Sequence, residues 1–144
     1  MVNLDILTAK LAELGARVAR VRAHTPTTAA DLRSDQDALD LVSFNLLLSV
    51  QSAADIASHL VADEGWRPAL TLADGFERLR ENGVIAKPTA DALAKAAGLR
   101  NVVAHGYAGV DVDAVFAGAS RGVADLEAFA AEVALWLRGK TAAP

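Results

Sequence analysis

The spacing of apolar residues constrains this chain more than anything else in it. Leu4, Leu7, Leu11, Leu14, Val18 and Val21 step by three or four residues, the period of one face of an α-helix. Leu39, Val42, Leu46, Ala53, Ile56 and Leu60 follow one stripe in steps of three, four and seven, and Val123, Leu126, Phe129, Val133 and Trp136 repeat the step of three or four, with Val115 before them as further core. The alternation that marks a half-buried strand is nearly absent, and aromatic residues are few. The expected fold is therefore all-α. Short links between the periodic stretches imply an antiparallel bundle of about five helices.

The helices are expected over residues 3–23, 29–63, from Pro68 to about Asn82-Gly83, 89–105 and 113–138. Thr25-Pro26 ends the first, because proline disfavours a helical residue before it. Gly65 closes the second. Pro68 and Pro88 suit first turns, where a missing N–H costs nothing. The second helix carries an extra stripe, Leu41, Phe44 and Leu48. A helix apolar on two sides is buried on two sides, so the second stripe predicts contact with another copy of the chain.

With 144 residues the chain fits one helical domain over residues 1–140, with a loose tail at 141–144. It has no cysteine, which excludes a disulfide framework and a zinc–thiolate site. Met1 to Asp5 carry no basic stretch leading into an apolar one, so no signal peptide is expected. The longest run without charge, Leu41 to Ala54, is shorter than the roughly 18 residues of a membrane span. The expectation is a soluble, cytoplasmic protein with no membrane partner. The net charge of -4 argues against nucleic acid as a partner unless positive groups are gathered locally.

One segment carries chemistry: Gly98-Leu-Arg100-Asn101-Val-Val-Ala-His105-Gly-Tyr107. If Ala92, Ala96, Leu99 and Val103 form the inward stripe of the fourth helix, Asn101 and His105 fall nearly opposite it, with Arg100 on the flank. His105 then sits at a helix C-terminus, which favours a protonated imidazole. Taken on spacing alone, the same residues read equally as a helix cap and a solvated charge.

The pattern Arg-Asn-x-x-x-His-x-Tyr at Arg100, Asn101, His105 and Tyr107 resembles the signature of HepT toxins, a branch of the HEPN superfamily. The likeness extends to Gln51-Ser-Ala-Ala-Asp55-Ile-Ala-Ser-His59, to Phe76-Glu-Arg-Leu79 followed by Asn82-Gly83-Val84-Ile85, and to Asp111. It runs from about Asp37 to Leu137; helix one and residues 25–33 carry no such signature. The resemblance implies an endoribonuclease that needs no metal or cofactor, with Arg100 and His105 as its catalytic pair and RNA as substrate. His105 titrates near neutrality and can act as base or acid. Arg100 can hold two phosphate oxygens at once, and Asn101 can orient the ring or bind phosphate. The resemblance also implies a homodimer that brings two motifs to one cleft. Its partner would be a minimal nucleotidyltransferase (MNT) antitoxin, which transfers AMP to Tyr107. Against that stands a plain packing or stacking role for Tyr107.

Gln51, Asp55 and His59 lie within about 80° of one another on the second helix. They could line the RNA cleft, or Asp55 and His59 could simply satisfy each other four residues apart. Arg17, Arg20 and Arg22 could extend a phosphate-binding surface or complement the dipole of the first helix. The three histidines, His24, His59 and His105, have no close ligand spacing, so no metal is expected. A catalytically silent module of the same fold, binding a partner protein or nucleotide, is the alternative function. It has no need of both Arg100 and His105.

Overall fold

A computed structural model describes residues 2–104 and 111–142, with side chains left out for 99–104 and 142. Among the described residues the chain is helical, with no strand. The elements are α1 (Leu4–His24), α2 (Ala29–Ser34), α3 (Gln36–Glu64), α4 (Leu72–Glu81), α5 (Lys87–Ala104), α6 (Val112–Ala117) and α7 (Val123–Ala142). A single π turn, Gly118–Gly122, joins α6 to α7. The last helix thus runs two residues into the expected tail.

Helix starts follow capping chemistry. Asn3, Thr28, Asp35, Thr71 and Asp111 each accept a hydrogen bond from the backbone N–H three residues on, which satisfies a donor that the first turn leaves free. Two expectations are corrected by these caps. The stretch 29–63 is not one helix: Asp35 leaves the helical region (φ -121°, ψ 94°), ends α2 and caps α3. The helix expected to start at Pro68 starts at Leu72 instead, because Thr71 offers the stronger start. Gly65, at φ 69°, supplies the left-handed residue that stops α3. Gly118 and Gly122 bound the π turn; two weak helix formers four apart favour such a local change of pitch.

The core forms where the apolar faces meet. Leu7, Leu14, Val18 and Val21 of α1 are buried, while Leu4 at its end is 39 % exposed. Leu39, Val42, Leu46, Ala53, Ile56 and Leu60 of α3 are buried, as are Val115, Val123, Leu126, Phe129 and Val133. Phe76 of α4 meets Phe129 of α7 edge to face at 5.7 Å. Trp66 meets Trp136 at 6.0 Å, with the Lys140 ammonium over the Trp136 ring. α3 is long and apolar enough to cross a bilayer by composition, but 61 % of its most apolar window is buried inside the fold. It is the central helix, packed by α1, α4, α5 and α7.

Two contacts set the register of the bundle. Lys140 near the end of α7 reaches Glu64 at the end of α3 at 3.1 Å, so those helices run parallel. Glu132 of α7 meets Thr89 at the start of α5. From there, Pro88 to Ala96 share a groove with Leu126 back to Ala114, so α5 runs antiparallel to α7 and α3.

Candidate functional site

α5 carries the candidate motif, and its placement begins at its first turn. The Glu132 carboxylate of α7 accepts the Ala86 N–H at 2.6 Å and the Thr89 hydroxyl at 2.6 Å. One side chain from another helix therefore caps the N-terminus of α5. A negative charge there is doubly favourable, since it satisfies a free donor and complements the positive end of the helix dipole. Ala90 and Leu93 then anchor the helix in the core.

The buried edge of α5 differs from the one expected. Thr89, Ala90 and Leu93 are buried, whereas Ala92 and Ala96 are only half-buried. The cause is the neighbour on that side. Ala114, Ala117, Gly118 and Gly122 are too small to fill the space, and Ala92 and Ala96 line a groove of about 630 Å³ there. The inner face is thereby turned by about 90° from the expected stripe. The placement of positions 101 and 105 opposite the core does not follow from these turns. Arg100 and Asn101 belong to the last turn of α5. Their side chains, together with Leu99 and Val103 and all of His105 and Tyr107, lie outside the described residues.

α3 presents one long outward strip. Phe44, Leu48, Gln51, Asp55 and His59 follow one another by four, three, four and four residues, so they share a face. Phe44 is 56 % exposed, and Leu41, Leu48, Gln51, Asp55 and His59 are half-buried. On one side of the strip lies α1, tied by Arg17 Nη1 donating to Asn45 Oδ1 at 3.2 Å. On the other lies α4, where Gly75 would bring a Cβ to 3.6 Å from Ala57. The strip is apolar in its first half and polar in its second.

The polar half is not wired as an Asp55–His59 pair, one of the two readings of its sequence. Gln51 Nε2 donates to Asp55 Oδ1 at 2.9 Å. Among the described residues no hydrogen bond or ion pair joins Asp55 to His59. The imidazole is thus left available on the outward face. α5 starts beside Glu132 of α7 and runs antiparallel to α3, so its last turn lies toward the N-terminal half of α3, away from Asp55 and His59. No group of three His, Asp or Glu side chains able to hold a metal occurs among the described residues.

Arg17, Arg20 and Arg22 are also separated by the structure. Arg22 pairs with Glu127 of α7, on the far side of α1. This bond holds the Glu127 carboxyl below the usual carboxylate range, with burial opposing and the Arg22 charge assisting. Arg17 and Arg20 instead line a shallow groove with Asp40, Leu41, Phe44 and Asn45.

A family model described as ribonuclease HepT-like matches residues 14–133. The mRNA nuclease HepT of Shewanella oneidensis is 27 % identical over 125 residues, covering 87 % of this chain and 93 % of that protein. An Archaeoglobus fulgidus protein described as an RNase is 42 % identical over 74 residues, 51 % of this chain and 55 % of that one. Among solved structures, the tri-AMPylated Shewanella oneidensis HEPN toxin in complex with its MNT antitoxin superposes with a TM-score of 0.83. That match has 26 % identity and covers 92 % of this chain and 99 % of that one. The cytosolic protein YutE of Bacillus subtilis shares the fold at 13 % identity, with a TM-score of 0.85 over 99 % of this chain and 96 % of that one.

Proposed function

This chain belongs to the HepT-like ribonuclease family and is an endoribonuclease, and we propose that it is the toxin of a toxin–antitoxin pair, cutting RNA without a metal through Arg100 and His105. The observation that carries this reading is the motif Arg100-Asn101-x-x-x-His105-x-Tyr107 at the end of α5. It falls within a chain matched by the family from 14 to 133.

RNA supplies its own nucleophile, the 2′-hydroxyl next to the scissile phosphate. Its attack on phosphorus needs a base for the hydroxyl proton, an acid for the departing 5′-oxygen and positive charge on the phosphorane. His105 provides the proton transfers. Arg100 provides fixed charge aimed at two non-bridging oxygens. Asn101 holds the His105 ring or a phosphate oxygen. The products are a 2′,3′-cyclic phosphate and a 5′-hydroxyl. One imidazole does not readily serve as base and acid in the same step, which is the chemical reason for a second copy.

The homodimer forms through the outward strip of α3. Leu41, Phe44 and Leu48 leave apolar surface open there, and closing it against its own copy removes that surface from water. Gln51, Asp55 and His59 continue the strip and would then line the cleft, facing the other copy's RNA end. Sedimentation should give a dimer at micromolar concentration, and Phe44→Arg should give a monomer. The antitoxin is a nucleotidyltransferase of the kind found with the Shewanella toxin. It would silence this chain in the cytoplasm by adding AMP to Tyr107, putting an anion where Arg100 must receive phosphate. Mass spectrometry after co-expression should find AMP on Tyr107.

The test of the reaction is cleavage of tRNA and mRNA by the isolated protein in excess EDTA. Cleavage with cyclic-phosphate ends, abolished by Arg100→Ala and by His105→Ala, is the expected result. Full activity in either variant would refute the assignment.

A further inference from the structure

Most cations in the described structure are already matched by acids. Arg22 pairs with Glu127, Arg33 with Asp113, Arg67 and Arg78 with Glu81, Arg80 with Glu77, Lys87 with Asp91 and Lys140 with Glu64. Among the described residues Lys10, Lys95, Arg121, Arg138, Arg17 and Arg20 form no ion pair, and of these Arg17 and Arg20 sit side by side. They stand three residues apart, one turn of α1. Arg17 is instead held by the neutral amide of Asn45.

That amide is a built support. Asn45 is only 3 % exposed, and its Nδ2 donates to the Leu41 carbonyl at 2.9 Å. The Asn45 side-chain oxygen therefore has one orientation, and it points the Arg17 guanidinium without cancelling its charge. Arg20 lies beside it, with no partner to leave among the described residues. The two line a groove of about 600 Å³ at the edge of the proposed dimer seam, which Leu41 and Phe44 share, and its one acid, Asp40, accepts the Gln36 amide at 2.7 Å. Arg17 and Asn45 lie at the N-terminal half of α3, the end toward which α5 runs. α3 packs between α1 and α5.

We propose that Arg17 and Arg20 bind the phosphate backbone of the RNA substrate beyond the scissile bond, on the α1 flank of the α3 strip. This deepens the ribonuclease reading and rests on it. A guanidinium fixed by a neutral amide keeps its full charge for a phosphate and is already oriented to receive it bidentately. It also locates the positive groups that a chain of net charge -4 needs in order to hold a polyanion. Arg22, locked to Glu127 on the other side of α1, takes no part.

The test measures binding of a fluorescein-labelled single-stranded RNA to the full-length His105→Ala protein, by anisotropy, across a salt series. Removing two phosphate contacts should lower the slope of log K against log salt by about 1.4, and removing one by about 0.7. Arg17→Gln/Arg20→Gln should show the larger drop and Arg20→Gln alone the smaller. Among the described residues Arg20 has no hydrogen-bond or ion-pair partner, so the single variant should keep the parent melting temperature. Arg20→Lys should restore most of the slope, and Arg22→Gln should leave it unchanged. An unchanged slope in the double variant, while the otherwise unaltered protein still cleaves RNA, overturns this proposal and leaves the ribonuclease assignment standing. Failure of the His105→Ala protein to bind RNA, together with failure of the protein with His105 intact to cleave it, overturns both. An unchanged slope with loss of the dimer, or of co-purification with the antitoxin, assigns the arginines to a protein contact and also overturns it.

Discussion

The Glu132 cap is the most exposed point in the argument that α5 is positioned from outside itself. Glu132→Ala deletes two hydrogen bonds of 2.6 Å. Removing a charged acceptor from a backbone donor costs about 1.5–3 kcal/mol. The lost charge at the helix start adds about 0.3–1 kcal/mol. The Thr89 hydroxyl, 8 % exposed, is left with little water to replace its acceptor. Solvent reaching the Ala86 N–H recovers part of the first contribution, so a net loss of about 2–3 kcal/mol is expected. For a chain of this size that lowers Tm by roughly 6–9 °C. Glu132→Gln retains one carbonyl oxygen for one of the two donors and should lose about half as much. Urea unfolding followed by circular dichroism measures both, with an unchanged m value expected because the core is untouched. RNA cleavage at a temperature where the variant is fully folded should also fall. A shift of the α5 axis moves position 100, and a misplacement near 1 Å can cost about 100-fold in rate. A loss below about 0.5 kcal/mol for Glu132→Ala, the range of an ordinary surface substitution, would refute the reasoning.

Three further outcomes follow from particular side chains. The Ser43 hydroxyl is buried without a partner among the described residues, so Ser43→Ala should raise stability by up to about 1 kcal/mol in a urea titration; a loss of that size would mean the hydroxyl is bonded. Leu93 is fully buried, and Leu93→Ala should cost about 2–5 kcal/mol, whereas Ala96→Ser on the groove side should leave the melting curve near that of the parent. The Glu127 carboxyl is held below the usual carboxylate range, first by its hydrogen bond with Arg22. A depressed folded pKa gives stability that is present above the unfolded value and lost as pH falls through the folded one. Glu127→Gln should therefore lose less stability than the parent between neutral pH and about pH 3, and identical acid slopes would contradict the pairing.

Much of this fold was legible because helical periodicity reports burial directly. The α1 stripe from Leu7 to Val21, the α3 stripe from Leu39 to Leu60 and the α7 stripe from Val123 to Val133 are buried as their spacing requires. The second stripe of α3 was legible too, since Phe44 and Leu41 leave apolar surface uncovered by the rest of the chain. The break at Asp35 was not, because an aspartate is tolerated inside a helix and only its cap to Ala38 shows that it ends one. The face of α5 was not legible for a related reason. Its sequence is so rich in alanine that several faces are equally apolar, and the choice falls to the neighbours: α4 and α3 pack against α5, while the small residues of α6 and the π turn leave Ala92 and Ala96 at a groove.

Electrostatics was the least legible layer, and it bears most on function. Counting charges gives -4 and points away from RNA. Pairing leaves that sum as it is, since each ion pair removes a cation along with its acid. Glu64, Glu77, Glu81, Asp91, Asp113 and Glu127 are each engaged with a lysine or arginine, and charges further apart than about 10 Å are largely screened from one another. What an approaching polyanion meets is set by the unmatched charges close to its path. On the α1 side of the α3 strip those include Arg17 and Arg20, with Asp40 and Glu13 as acids on the same side. A substrate phosphate therefore samples a local field that the net charge does not describe. Charge reversal at Glu13, on the same face of α1 one turn before Arg17, should steepen the salt dependence of RNA binding, whereas reversal at Glu77, already engaged with Arg80 on α4, should leave it unchanged. Equal responses at the two positions would mean that net charge governs binding after all.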